Sequence, residues 1–358
     1  MASHSHFNDK ERHMKYSFEN LALSGGGVWG IAYLGMLEEL ERAGALAQIQ
    51  RVVGASAGAI SSMLISFRLS AAKTQELSDS LDYSKIPQKA AEPATPQLQA
   101  AHKAFQAQLA LQPHAKNVSL EDFICLLRLF NKKGWYSSDY FYHWLKGVVA
   151  SQFKDGRPDK KYTFADFAKP ALHKNDQPFR QLHVIGCDAN AHQARIFSAE
   201  LTPDVEVAEA VRISMSIPFF FEAQNFSYPG QPAGVFVDGG TIWNYPINFF
   251  DDKYPAKPKQ GEDEEEEKTF GARFDAPPGK PSSDANLIQH IQNIAQSAWQ
   301  AQNLNYQYSP RDQARSINIP TEGVLATDFN IKTGDDKYQR LFQAGAAATR
   351  AFLASCES

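Results

Sequence analysis

The chain of 358 residues has no run near the roughly 20 apolar residues that a membrane-spanning helix needs. Any work at a membrane is therefore expected from the water side. Residues 1 to 15 are polar, with His4, His6 and His13 among them, and lack the apolar stretch of a signal peptide. They read as a mobile tail. The expected location is cytoplasmic, or secreted without a cleavable signal peptide. Only three cysteines are present, Cys125, Cys187 and Cys356. Their wide separation gives neither a metal-ligand spacing nor a disulfide framework, and suits a reducing compartment. Excess basic charge is missing too. A net charge of −4 argues against a nucleic-acid partner, because phosphate binding needs a basic surface. No internal repeat is visible.

What is there is ordinary for a globular protein: 43% hydrophobic and 21% charged residues, enough for a sizeable core. The length suggests one large domain with insertions, or two domains. The chain is organised around Gly54-Ala55-Ser56-Ala57-Gly58. An apolar run, Ile49 to Val53, leads in, and a helix-like run, Ala59 to Ile65, leads out. The pattern is strand, sharp turn, helix, with a serine at the apex. A tight turn exposes the hydroxyl, and Gly54 and Gly58 keep the flanks small enough to allow it. The helix N-terminus aims its amides at the same spot. The bland alternative is a glycine-rich turn with an incidental serine.

A second glycine-rich stretch lies upstream. Ser17 to Leu23 reads as a strand and runs into Ser24-Gly25-Gly26-Gly27-Val28-Trp29-Gly30. Ile31, Leu34, Leu37 and Leu40 follow at helical spacing, and Gly44 is a plausible stop. Gly25, Gly27 and Gly30 satisfy the dinucleotide fingerprint, but no acid stands at the end of the next strand to hold a ribose. The other use of such a loop is to offer backbone N–H groups to an anion. For acyl transfer that makes it an oxyanion hole, worth roughly 2.7–4 kcal/mol per donor.

From Leu69 to about Lys169 helical segments follow one another with little strand signal. Ser119-Leu120-Glu121-Asp122 is a capping-box start. Trp135, Tyr136, Tyr140, Phe141, Tyr142 and Trp144 crowd together, as the core of a helical insertion at about 70–169 or as a lid and acyl-chain surface over the serine. Strand signals return at Gln181 to Asp188 and Ala194 to Ser198. A helix over Val205 to Ser214 stops at Pro218. Phe219, Phe220 and Phe221 read as core or as a pocket wall. Gly234 to Val237 is a buried-strand pattern that ends in Asp238-Gly239-Gly240. Asp-Gly after a strand is commonly a turn, and a strand's end is also where a general base would be mounted. Residues 257–283 hold the acid run Gly261 to Glu267 and Pro277-Pro278-Gly279-Lys280-Pro281. They read as a partly disordered surface loop around a possible short strand, Thr269 to Phe274. A long helix over Ala285 to Tyr308, a strand over Arg315 to Ile319 and a helix over Asp335 to Leu353 close the chain.

Gly25 to Gly30, Gly54 to Gly58 and Asp238-Gly239-Gly240 stand in this order, and together they resemble the patatin-like phospholipase family. Ala210 to Pro218, Asn244-Tyr245-Pro246-Ile247 and the segment from Gly323 through Asp328-Phe329 to Asp336-Lys337 look like its bacterial branch. The resemblance covers roughly residues 18 to 354. It implies an α/β fold, a three-layer α/β/α sandwich with a mostly parallel central sheet, in one catalytic domain over 16–358. It implies a phospholipase A or lysophospholipase that cleaves carboxylic esters with a Ser56–Asp238 dyad. Gly25, Gly26, Gly27 and Gly30 would form the oxyanion hole, and Gly239 and Gly240 would follow the base. No metal and no cofactor is expected. The expected partners are a phospholipid or other lipid ester and a membrane surface contacted peripherally. Some family members need an activating host protein and carry extra membrane-binding helices; no counterpart of those helices is expected within residues 1 to 358. Trp29 departs from the family's usual Arg or Lys, so any contribution of that positive charge is lost.

An aspartate is a poor base at its reference pKa of about 3.9. The mechanism therefore requires Asp238 to be desolvated and within reach of Ser56. A histidine as third partner would have to be His183, His192 or His290. The same dyad also suits an acyltransferase or a neutral-lipid esterase, and a catalytically silent binding module would keep the fold alone.

Overall fold

The computed structural model describes residues 16–89, 93–112, 117–230, 232–253, 257–258, 265–266, 268–275 and 287–356. The expected tail and most of the expected acidic loop lie outside these residues. The apolar runs that end at Leu23 and Ala55 form parallel neighbours, β1 (Asn20–Leu23) and β2 (Arg51–Ala55). Each feeds a helix, α1 (Ala32–Arg42) and α2 (Ala57–Ser66) respectively, and α3 (Ala71–Asp79) follows. The insertion holds α4 (Pro96–Leu109), α5 (Leu120–Lys132), α6 (Asp139–Ala150) and α7 (Phe164–Phe167). Ser119 caps α5 by accepting the Asp122 N–H, as its sequence pattern suggests. One short strand, β3 (Gly134–Tyr136), interrupts the helices.

Next come β4 (Gln181–Asp188), β5 (Gln193–Ser198), α8 (Val207–Ser214), β6 (Phe219–Phe221), β7 (Gln224–Phe226), β8 (Gly234–Asp238) and the single turn α9 (Gly240–Trp243). β9 (Lys257–Pro258) pairs with β10 (Glu265–Glu266) apart from the main sheet. β11 (Thr269–Asp275), α10 (Leu287–Gln307), α11 (Pro310–Ala314), β12 (Ser316–Pro320) and α12 (Asp336–Ser355) complete the order.

The main sheet runs β12-β11-β1-β2-β4-β8-β7, with β5 also paired to β4. Five strands, β12, β11, β1, β2 and β4, are parallel neighbours. Their sequences are short apolar runs because both faces are covered. Leu21, Leu23, Val52 and Val184 pack into the larger core, with Leu37, Leu341 and Phe352 from the helices. Ala22, Val53, Ala55 and Ile185 point to the opposite face, against Ile247 and Phe250. The fold is thus mixed α/β with a mostly parallel central sheet.

One expectation needs correction. The stretch Thr269 to Phe274 is no part of a surface loop. It lies inside the sheet between β1 and β12, and Phe270 and Ala272 are fully buried. The expected short strand is there, but its charged and proline-rich flanks suggested a surface setting that the sheet does not give it.

The register at β4 positions the site. Each strand residue can pair once on each side. β5 takes one edge, through Ile185↔Ile196 and Gly186↔Arg195. On the other edge β2 runs parallel as far as Ala55↔Ile185. From Gly186 onward the same edge belongs to β8, antiparallel, with Gly186↔Asp238. The C-terminal ends of β2 and β8 therefore meet head to head at the Ile185–Gly186 step.

Candidate active site

Ser56 is the first residue beyond β2 and the N-cap of α2. Its φ of +51° is costly for a residue with a Cβ, so the surroundings must hold it there. They do so from two sides. The Ser56 N–H donates to Ser214 Oγ at 2.9 Å, and that hydroxyl donates to the Ile185 carbonyl at 2.6 Å. The turn is also wedged tight. A Cβ on Gly58 would run into the carbonyls of Leu23 and Ser24, and one on Gly54 into the backbone of Gly58. Below the turn, the buried Arg180 guanidinium donates to the carbonyls of Leu46, Ile49 and Ile65, tying the entry to β2 to the end of α2.

Asp238 ends β8 and is fully buried. Its N–H donates to the Ser216 carbonyl at 2.9 Å, and the Gly239 N–H donates to the Ser214 carbonyl at 3.2 Å. Oδ1 accepts the Gly240 N–H at 2.6 Å. Oδ2 is buried and makes no hydrogen bond of good geometry. Burial pushes the carboxyl up to about 7, while the neighbouring Ser56 hydroxyl and the Gly240 amide pull it down. The Ser56 hydroxyl thus lies close enough to act on the carboxyl but short of a formed hydrogen bond, a looseness common before a substrate tightens a site.

Gly25 abuts the pair. A Cβ there would strike Ser56 Cβ and the Asn244 side chain. The Gly25 N–H is engaged, donating to the Asn244 carbonyl at 3.1 Å. This corrects the expectation that Gly25 offers an oxyanion donor; its part is close packing. The N–H groups of Gly26 and Gly27 have no partner among the described residues. Gly27 has φ +57° and sits against the Ala326 carbonyl. Gly30 lies in the 3-10 turn over residues 27–31 and packs on Ala57. Trp29 is buried, donates from Nε1 to the Val324 carbonyl at 2.7 Å and leans on the Phe274 ring. It braces the loop from behind.

Ser56 lines a mostly apolar cavity together with residues of α1, α2 and α3, among them Leu34, Leu37, Ile60 and Leu64. Phe221, Phe329, Phe141 and Trp144 line the same cavity. Both readings of the aromatic cluster therefore hold in part: Phe141 is core and cavity wall at once. Of the three phenylalanines, Phe220 and Phe221 are buried, while Phe219 is about half exposed and has φ +64°.

No hydrogen bond of Ser56 or Asp238 among the described residues involves a histidine. His183 pairs with Val53, one layer down the sheet, and packs on Phe249 and Phe250. Burial pushes it down to about 4 and keeps it neutral. His192 sits in the β4–β5 turn, in a groove with Phe219 and Ile242. The His290 side chain lies outside the described residues. Cys187 is adjacent in the sheet, but burial and two carboxyls push its thiol up to about 11, so it is no nucleophile. Among the described residues no cluster of side chains could hold a metal.

The family model described as patatin-like phospholipase matches residues 21–251 of this chain. The chain belongs to the patatin-like phospholipase family. That family is one of lipid acyl hydrolases. Among curated proteins the chain is similar to the uncharacterized protein YqhO of Bacillus subtilis (strain 168), 27% identical over 334 residues, covering 92% of this chain and 96% of that one. It is also similar to the uncharacterized protein R571 of Acanthamoeba polyphaga mimivirus, at 24% identity over 65% of this chain and 62% of that protein. Among solved structures, VipD from Legionella pneumophila aligns over 95% of this chain and 67% of its own, with TM-score 0.53 and 18% identity. That likeness concerns the fold.

In this member of the family, three polar residues at the site fall outside the three glycine-bearing motifs. Ser214 and Ser216 sit in the apolar stretch Ile213 to Ile217, inside the family-like segment Ala210 to Pro218, but nothing there marked either serine as part of the site. Gln302 in α10 carried no signal at all. Its helix is rich in Gln and Asn, and nothing in the spacing distinguishes one from another.

Proposed function

We propose that this patatin-like phospholipase hydrolyses carboxylic esters of phospholipids or lysophospholipids through a Ser56–Asp238 dyad. The observation that carries the reading is the head-to-head approach of β2 and β8, which sets Ser56 near a buried carboxyl that burial pushes up to about 7 and whose Oδ2 makes no hydrogen bond. A base with that pKa is matched to work near neutral pH. Ser56 Oγ attacks the ester carbonyl carbon as its proton passes to Asp238 Oδ2. The oxyanion accepts the free amides of Gly26 and Gly27. Collapse expels the alcohol, which takes the proton from Asp238. Water then attacks the acyl carbon as its proton passes to the same carboxylate, the bond to Ser56 Oγ breaks as Asp238 returns that proton to it, and the fatty acid leaves.

The acyl chain occupies the apolar cavity. Ile60→Trp is expected to lower turnover of long-chain esters on the order of tenfold or more, while short-chain esters change little. Comparison of kcat/KM across a p-nitrophenyl ester series checks this, and a uniform loss counts against it. Exposed Phe219 and Ile242 flank the turn after Asp238, and exposed Leu325 flanks the glycine loop. These support peripheral contact with a lipid surface. Among the described residues no helix is long and apolar enough to cross a membrane.

The direct test is labelling with a fluorophosphonate, followed by peptide mapping and by release of fatty acid from phosphatidylcholine vesicles. An adduct on Ser56 with fatty-acid release is expected. A chain that neither labels nor hydrolyses in the presence of vesicles or detergent is not this enzyme.

A further inference from the structure

Between Asp238 and the glycine loop lies one short connection, α9 and the residue after it, and a side chain from a distant helix staples it. Gln302 Oε1 accepts the Asn244 N–H at 2.7 Å. Gln302 Nε2 donates to the Gly240 carbonyl at 2.9 Å and the Thr241 carbonyl at 3.3 Å. A helix of one turn cannot satisfy its own terminal groups, and this one amide serves both kinds. The two ends of the stapled turn are the two ends of the site. At one end the Gly240 N–H binds Asp238 Oδ1. At the other the Asn244 carbonyl accepts the Gly25 N–H, and Gly25 is packed against Ser56 Cβ. Gln302 is itself held. Its neighbour Asn303 accepts from Arg273 Nη2 at 3.1 Å, the Arg273 guanidinium lies over the Tyr306 ring, and the Tyr306 hydroxyl donates to Asn318 Oδ1 at 3.0 Å. This half of α10 is therefore fastened to β11 and β12.

We infer that Gln302 is a positioning residue for the dyad, setting the Gly240–Asp238 bond and the seat of Gly25 against Ser56 from outside the site. The inference rests on the proposed Ser56–Asp238 chemistry. Without the staple, the turn carrying the Gly240 amide loosens, and the hydrogen bond that favours the ionised carboxyl weakens. The glycine loop then loses its fixed distance to the nucleophile. Both effects fall on the chemical step rather than on substrate binding.

The test compares wild type with Gln302→Met, which keeps length and loses every hydrogen bond, and with Gln302→Glu, which can accept from Asn244 but cannot donate to the two carbonyls. Leu304→Ala, an exposed position on the same helix, is the control. With a soluble short-chain ester, Gln302→Met is expected to lower kcat roughly 10- to 100-fold, with KM within about twofold. The acid limb of its pH profile is expected to move up on the order of half a pH unit, and that of Gln302→Glu further, because its added charge also opposes ionisation of Asp238. A merely structural role would lower stability and leave the limb in place. Unchanged kcat and limb in both variants overturn the inference. A wild type without esterase activity sinks the proposed dyad chemistry instead. The inference is then read by hydrogen exchange of the Gly25 and Asn244 amides, expected about tenfold faster in Gln302→Met and overturned if unchanged.

Discussion

Asp238→Asn is expected to lose at least roughly a thousandfold in kcat and to gain stability above neutral pH. Both outcomes come from the same burial. The wild-type carboxyl is fully buried, and that burial pushes it up to about 7 from the 3.8 of an unperturbed aspartate. A group whose folded pKa lies above its unfolded value supports folding most below the unfolded pKa. That support is lost as pH rises toward the folded pKa. Between pH 4 and 7 the unfolded chain releases a proton that the native protein still holds, so the native state loses ground. Above pH 7 it carries a buried charge. At about 1.4 kcal/mol per pH unit, the accumulated loss is roughly 4 kcal/mol. Asparagine removes the titration and retains an acceptor for the Gly240 amide. Chemical denaturation of both proteins across pH 4 to 9 checks the result. The stability gap is expected to be small at pH 4, to widen to pH 7 and then to level off. A gap independent of pH would mean that the carboxyl is not buried as described. The wild-type rate is expected to rise through an apparent pKa near 7, and no other base takes over in the variant.

Ser214→Ala is expected to cost roughly 2–5 kcal/mol of stability and on the order of a hundredfold in kcat. The hydroxyl is fully buried and bridges two buried backbone groups, the Ser56 N–H and the Ile185 carbonyl. Its deletion leaves both unpaired, each costing about 1–3 kcal/mol. It also releases the force that holds Ser56 at positive φ. The Ser214 backbone contributes separately, through the Gly239 N–H, and survives the change. The rate should therefore fall through the nucleophile and not through the base. Fluorophosphonate labelling is expected to slow in proportion to kcat, while the acid limb near pH 7 stays where it is. Ser214→Thr keeps the hydroxyl and is expected to recover much of the labelling rate. Equal loss in both variants would assign the effect to packing.

Both of these residues show where the sequence stopped being legible. The β1 and β2 runs, the glycine loop, the turn at Ser56 and the strand ending in Asp238 could be read because each is written in a few neighbouring residues. Apolar runs bounded by glycine give strands, and close backbone contact around the Ser56 turn demands glycine at positions 54 and 58. The start of α5 was readable from the cap at Ser119. The strand β11 was legible as a short strand, but its place was not, because its centrality in the sheet is a property of its neighbours. Gly25 was assigned a donor that the fold spends on Asn244, a contact across 219 positions of chain.

The sequence by itself determined the alternation of strands and helices, the strained serine turn and the order of the three glycine-bearing motifs, since turn chemistry and hydrophobic period act over a few residues. Only the tertiary structure decided that β2 and β8 share one edge of β4 and meet at Ile185–Gly186. It alone decided that Asp238 is buried enough to be pushed up to about 7, and that Ser214, 158 positions from Ser56, holds the Ser56 amide. Strand order and desolvation are sums over residues far apart in the chain. No local spacing encodes them.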